Sequence, residues 1–427
     1  MRGASIVFIL TLSVLNIHIA QETILDDYRE EIVQLAEKDI IQRGFEVILD
    51  LEPSTQQDLI TLNEVEAPPF MEEERAVIFL EMMKQAGVDS AWIDSEGNAI
   101  GLKKGKKRGR RVGFDAHLDT VFPKGTDVKV KIKGDTLFAP GIGDDTRGLA
   151  LVLAVLKTMN QVEIETRDDV LFIGTVGEEG IGDLRGVKHI FSDEGLDVDS
   201  WIAVDGGQIG RVNNKGLGSY RYKVTFEGPG GHSWGAFGLV NPHHALGKAI
   251  EIFVKKADQY TASGPKTSYN VGRIGGGTSI NSVPFESWME IDIRSIQASR
   301  LDSMEKLLKE AVEEAVAYQN SIKRLGGDMS YKIEKIGNRP SGELSSEIPL
   351  VQRAMAATAY FGKRPRLTRG STNSNIPIAL GVPAVTIGRG GSGAFGHSLN
   401  EWWYNDEGHK AIQLAFLLLV SEAGLAD

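Results

Sequence analysis

The sequence predicts an α/β fold: a mostly parallel sheet covered by helices, with a second, smaller α/β unit inserted into it. Three observations carry this. Between Val112 and Val204, apolar runs of strand length alternate with segments of helical period, the grammar of parallel strands joined by crossover helices. After Asn214 the order changes to strand, helix, two strands, helix, strand. Near residue 339 the first grammar resumes and runs to the C-terminus.

Residues 24–48 and 71–87 space their apolar side chains as helices do, and Ala67-Pro68-Pro69 separates them. From Ala91 the pattern reads as strand, a turn at Glu96-Gly97-Asn98, strand, a basic run from Lys103 to Arg111, and the strand Val112 to Ala116. Seven of the nine residues in that run are basic, and a solvated hairpin tip explains them more simply than a localisation signal or an anion patch. Gly148 to Met159 reads as a buried helix, followed by strand Val170 to Val176, a helix near Leu184 to Phe191 and strand Trp201 to Val204. Then come strand Tyr220 to Glu227, helix Pro242 to Ala257, strands Tyr269 to Ile274 and Ser287 to Arg294, helix Ala298 to Ala317 and strand Ser330 to Ile336. This β-α-β-β-α-β order is ferredoxin-like. Helix Pro349 to Tyr360, strand Ala384 to Ile387 and helix Glu407 to Ala423 close the main unit. The expected divisions are therefore 1–20, 21–214, 215–338 (the insert) and 339–427.

Residues 1–20 carry Arg2, an apolar run near Ile6 to Leu15, and Ala20 before polar Gln21 and Glu22. The run is too short to span a bilayer and reads as a cleaved secretory signal, which implies a secreted or periplasmic protein; His18 departs from the small-residue rule at the cleavage site. An uncleaved anchor is the other reading. The net charge of −11 argues against a nucleic-acid binder, since phosphate binding needs a basic surface. With no cysteine in the chain, thiolate ligands, a cysteine nucleophile and disulfides are excluded. Any metal must sit on His, Asp and Glu.

Such residues recur at predicted strand ends. His117 and Asp119 follow Val112 to Ala116, Asp144 and Asp145 open the buried helix, and Glu178 and Glu179 follow Val170 to Val176. Asp205 ends Trp201 to Val204, and His397 lies shortly after Ala384 to Ile387. In an open α/β sheet the carboxyl ends of the strands share one crevice, so these groups can converge. Singly, each is ordinary: an Asp caps a helix, a Glu sits in a first turn. Five strand ends carrying such groups together make accident a poor explanation. Imidazole and carboxylate donors suit zinc. A bridging carboxylate holds two ions roughly 3.5 to 4 Å apart, sharing one water, and a nearby carboxylate can take that water's proton and return it to a leaving amine.

His117-Leu-Asp-Thr-Val, Gly143-Asp-Asp, Glu178-Glu179-Gly, Val204-Asp-Gly-Gly and Gly396-His-Ser, with Gly230-Gly-His-Ser in the insert, resemble the motifs of the co-catalytic zinc exopeptidases. That family includes peptidase T, carboxypeptidase G and the aminoacylases, and the Gly-Asp-Asp and Val-Asp-Gly-Gly details look nearest to the peptidase T branch. The resemblance implies that Asp144 bridges two Zn2+ ions (Co2+ or Mn2+ being alternatives). It implies His117 and Asp205 on one ion, Glu179 and His397 on the other, Glu178 as general base and Asp119 as the partner orienting His117. The insert then matches the family's lid and dimerisation domain, implying a homodimer. By the same resemblance His232 stabilises the oxyanion, and Asn281 and Arg294 hold the substrate backbone or carboxylate, although Arg294 also reads as a strand-end ion pair. Two departures stand out: Thr146-Arg147 where many relatives carry Lys, and Ser371-Thr-Asn-Ser-Asn where an Asp-containing Gly-rich loop is usual.

The function expected is hydrolysis of a terminal peptide bond of di- or tripeptides, the alternative being an amidohydrolase of N-acyl amino acids. Two further classes compete. Gly231-His-Ser-Trp-Gly fits the nucleophile-elbow pattern around Ser233, but residues 237–242 separate that serine from the next helix. A non-catalytic peptide-binding protein on the same fold is opposed by the intact Glu178 and ligands. Gly275-Gly-Gly-Thr and the Gly-rich run from Gly388 to Gly393 lack the spacing of phosphate loops, and Trp402-Trp403 reads as packing.

Overall fold

The computed structural model describes residues 23–426 except 108. The expected signal segment, 1–20, lies outside the described residues. Among those described, no helix is long and apolar enough to cross a membrane.

A nine-stranded sheet forms the centre of the molecule. Its four middle strands, Asp169–Thr175, Arg111–His117, Ser200–Val204 and Ala384–Ile387, run parallel and neighbour one another in that order. Antiparallel strands extend it on both sides, Ala99–Lys103 and Ser90–Ile93 beyond one edge and Arg211–Gly216 beyond the other. Strands buried on both faces are mostly apolar, and Val170, Phe172, Phe114 and Ile202 have no water contact. Close packing fixes one glycine. A Cβ on Gly113 would lie 2.3 Å from the Trp201 ring, so the indole can cover the sheet only where the neighbouring strand has no side chain.

The helix Thr146–Gln161 crosses beneath this sheet with nearly every residue buried, and the C-terminal helix His409–Ala423 packs beside it. Deleting a large side chain from such a core costs about 2–5 kcal/mol. The expected single helix over 24–48 is two, Asp26–Ala36 and Asp39–Asp50. A third, Glu52–Asn63, starts on Pro53 in its first turn and has no regular apolar stripe, so periodicity does not reveal it.

The second sheet has four antiparallel strands in the order Thr267–Gly276, Glu286–Ser295, Gly218–Glu227, Ser330–Arg339. Alternation along Glu286–Ser295 is strict, one face buried and the other half-exposed. Helices Pro242–Thr261 and Ala298–Ile322 cover the buried face around Val224, Phe226 and Phe253. The first of these helices begins where the sequence signals it: Asn241 accepts the N–H groups of His243 and His244, and Pro242 follows at the first helical position. Trp403 is buried, its Nε1 donating to the Gly390 carbonyl at 3.0 Å, which is the packing role expected for that pair.

Candidate metal centre

Each middle strand delivers a metal-capable group at its carboxyl end. His117 is the last residue of Arg111–His117, Glu178 and Glu179 follow Asp169–Thr175, and Asp205 follows Ser200–Val204. The loop after Ala384–Ile387 brings in His397 with φ +64°, and Asp144 sits two residues before the buried helix, joined to Asp145 by a cis peptide bond. Gly148 belongs to the same turn; its Cβ would sit 2.4 Å from the Asp145 carboxylate.

The donor atoms form three groups, each within 4.8 Å: His117 with Asp144 and Asp205, Asp144 with Glu179 and His397, and His117 with Glu178 and Glu179. Asp144 belongs to two of them and offers one oxygen to each imidazole. Its Oδ1 lies 3.3 Å from His117 Nε2, and its Oδ2 3.2 Å from His397 Nε2. Glu179 Oε1 approaches His397 Nε2 at 2.9 Å. His117 Nε2 is buried without a hydrogen bond and faces these carboxylates. Crowded acids with one unsatisfied imidazole nitrogen are the donor set a pair of divalent cations fits.

The electrostatics point the same way. Burial pushes Asp205 up to about 6, with Asp144 adding to the rise, and burial also lifts Glu178 well above the usual carboxylate range. Arg339 opposes the latter shift, its Nη1 pairing with Glu178 Oε1 at 3.0 Å. His397 is raised to about 10 by its contacts with Asp144 and Glu179.

Two buried carboxylates hold the loops in place. Asp119 accepts the N–H groups of Glu178 and Glu179 at 2.9 and 2.7 Å. His117 Nδ1 lies 2.9 Å from the Asp119 carbonyl and 3.6 Å from its carboxylate, so this residue orients the ring mainly through its backbone. Glu401 does for Asp144 what Asp119 does for the glutamates: its two oxygens accept N–H groups from Gly141, Gly143 and Asp144 at 2.8 to 3.0 Å. Neither Glu401 nor Arg339 is apparent from sequence. The only signal is that Glu401 stands four residues after His397, and backbone capping leaves no pattern of its own. Arg389, 3.5 to 3.7 Å from Asp144, Asp145 and Asp205, lies inside the Gly-rich run after Ala384–Ile387, where the sequence gives it no motif that links it to those acids.

The segment from Ser371 to Asn375, which departs from the family pattern, is a buried polar knot. Asn373 donates to Asp115 at 2.7 Å, Ser371 accepts from Arg339, and Asn375 donates to the Leu217 and Pro340 carbonyls. Asp115, pushed up to about 7 by burial, has in Asn373 a neutral partner where a second acid would repel it.

The insert contributes unevenly. Arg294 lines the cleft together with Asp144, Glu178, Asp205 and His397, and its Nε also pairs with Asp292 at 2.7 Å, so both readings of this arginine describe it. His232 and Asn281 are exposed and do not line that cleft. They neighbour each other, since strand Gly231–His232 pairs with Ser282–Val283 and the Ser233 N–H donates to the Asn281 carbonyl at 2.9 Å. Ser233 follows this two-residue strand and stands well ahead of the helix at Pro242, so the elbow context is missing.

The family model Peptidase family M20/M25/M40 matches residues 113–421. This chain belongs to that family. It is a metal-dependent peptidase or amidohydrolase. The M20 chain is 26% identical over 354 residues to YqjE, an uncharacterized protein of Bacillus subtilis, a match covering 78% of this chain and 89% of the relative. Its fold is that of the Bacillus cereus aminopeptidase PepT, with a TM-score of 0.67 at 22% identity over 87% of this chain and 98% of the other. A Staphylococcus aureus tripeptidase gives a TM-score of 0.68 at 21% identity, covering 86% and 98%.

Proposed function

We propose that this M20 enzyme removes a terminal residue from short peptides, chiefly di- and tripeptides, using two zinc ions held by His117, Asp144 and Asp205 and by Asp144, Glu179 and His397. The observation that carries the reading is the Asp144 carboxylate, which turns one oxygen toward each histidine. When bound, such a cation pair polarises the scissile carbonyl and makes water acidic enough to react near neutral pH. Glu178 takes a proton from the attacking water and delivers it to the leaving nitrogen, with Arg339 bound to its Oε1. Asp119 keeps Glu178 and Glu179 apart in direction by fixing both backbone N–H groups.

The four-stranded unit, 215–338 in the sequence division, acts as a ferredoxin-like lid. Arg294 meets the substrate carboxylate from the lid side of the cleft. His232 and Asn281 supply hydrogen-bond donors only after the lid closes, or when a second copy of the chain presents them. The second case is supported by the exposed Trp234, Phe237, Ile280 and Phe285 around these residues, apolar area that a homodimer covers. Residues 1–20 act as a secretion signal, placing the mature enzyme outside the cytoplasm.

The test is release of amino acids from a panel of di- and tripeptides and N-acyl amino acids, before and after chelation and on return of zinc. Peptide cleavage that stops with the chelator and returns with zinc is expected. Cleavage of the acylated substrates alone assigns the amidohydrolase activity instead. Chelator-resistant cleavage blocked by a serine-directed reagent overturns the metal mechanism in favour of Ser233.

A further inference from the structure

Beyond the catalytic cleft, an open cavity of about 1230 Å³ lies between the start of the first described helix and the edge strand Arg366–Gly370. Arg29, Arg211, Lys363, Arg364, Arg366 and Arg369 line it, in a chain whose net charge is −11. Arg369 is occupied by Glu343 at 2.8 Å and by two carbonyls. The side chains of Arg29, Arg211, Arg364 and Arg366 make no hydrogen bond or ion pair among the described residues, and Lys363 adds a little to the lowering of Glu407 that Lys410 causes. Arg366 and Arg211 are direct partners in the parallel pairing of Arg366–Gly370 with Arg211–Gly216. Like charges set opposite each other on neighbouring strands repel, and among the described residues neither side chain is paired with an acid. Arg211 also lines the catalytic cleft, so the two cavities share a wall.

We propose that this cavity is a second ligand site, taking a phosphate-class anion, a phosphorylated or oligophosphate small molecule, clamped by Arg211, Arg364 and Arg366. Guanidinium forks bind phosphate oxygens two at a time, and an anion between Arg211 and Arg366 converts their repulsion into two attractive contacts. The cavity is larger than one phosphate and leaves room for the rest of such a molecule.

The probe is inorganic phosphate, titrated calorimetrically into the zinc-loaded full chain and into the Arg364→Glu/Arg366→Glu variant, whose peptide turnover without phosphate serves as the folding control. One more equivalent bound by the unmodified chain than by the variant is expected; identical isotherms overturn the proposal. Arg366→Ala gives an independent readout. In phosphate-free, low-salt buffer its melting temperature should equal or exceed that of the unmodified chain, because a repulsion is gone, while the rise of several degrees on adding phosphate is lost. An undiminished rise in Arg366→Ala overturns the site. Sedimentation with phosphatidylcholine vesicles containing one quarter phosphatidylglycerol, seen for a chain that shows no phosphate response, also overturns it and makes the patch a membrane-facing surface.

Discussion

The rim of the central sheet and the tip of the inserted sheet both carry residues that the motifs mark as functional, yet they are built differently. On the rim, His117, Asp119, Glu178 and Glu179 are buried, and the carboxylates of Asp119 and Glu401 hold the loops by their backbone N–H groups. At the tip, His232 and Asn281 are exposed; their two segments pair with each other, and His232 Nδ1 accepts from Trp234 and Gly235. The rim is therefore formed within one chain in its folded state. The tip lies outside the cleft, and under the proposed function its side chains reach the chemistry only through lid closure or association.

Four substitutions test this contrast. Glu178→Ala should reduce kcat by about 10³-fold, the scale of general-base catalysis, with metal content by elemental analysis unchanged; a similar loss of bound metal breaks the division between ligand and base. His232→Ala should lower kcat by about 10²-fold, as for an oxyanion donor, again with metal retained. Wild-type turnover there would confine catalysis to the rim. For Glu401→Gln one N–H acceptor is replaced by an amide donor facing backbone N–H groups. Metal affinity, measured by competition with a chelator, should fall by about 10- to 100-fold, as when supporting partners of metal ligands are removed. Unchanged affinity would show that the Asp144 loop holds its shape unaided. Arg294→Ala should raise KM by about tenfold with kcat within a factor of two, the pattern for a group that binds substrate and transition state alike. A fall in kcat without a change in KM would move Arg294 from binding to catalysis.

Much of the fold was legible because burial imposes periodicity. The middle strands are continuous apolar runs, and the alternation along Glu286–Ser295 marks a half-covered sheet. Glu52–Asn63 and Arg366–Gly370 were not, since the first lacks an apolar stripe and the second is a short, basic edge strand. The same divide runs through the site. His117, Glu179 and Asp205 stand at or just past strand ends, Asp144 just before the buried helix and His397 in the loop after Ala384–Ile387, all on the side of the sheet where chain order predicts convergence. Arg339 and Glu401 reach the same place from the end of the inserted sheet and from a late loop, and no spacing rule connects them to their partners.

What the sequence by itself determined is the list of groups able to bind metal and the order of elements that gathers them, because strand periodicity and residue chemistry are properties of the chain. Only the tertiary structure decided which oxygen of Asp144 meets which histidine, which carboxylates serve the backbone and not the cleft, and that Arg211 stands opposite Arg366. Those relations join residues up to 260 positions apart, as Gly141 and Glu401 are, and they arise from packing, which no local pattern encodes.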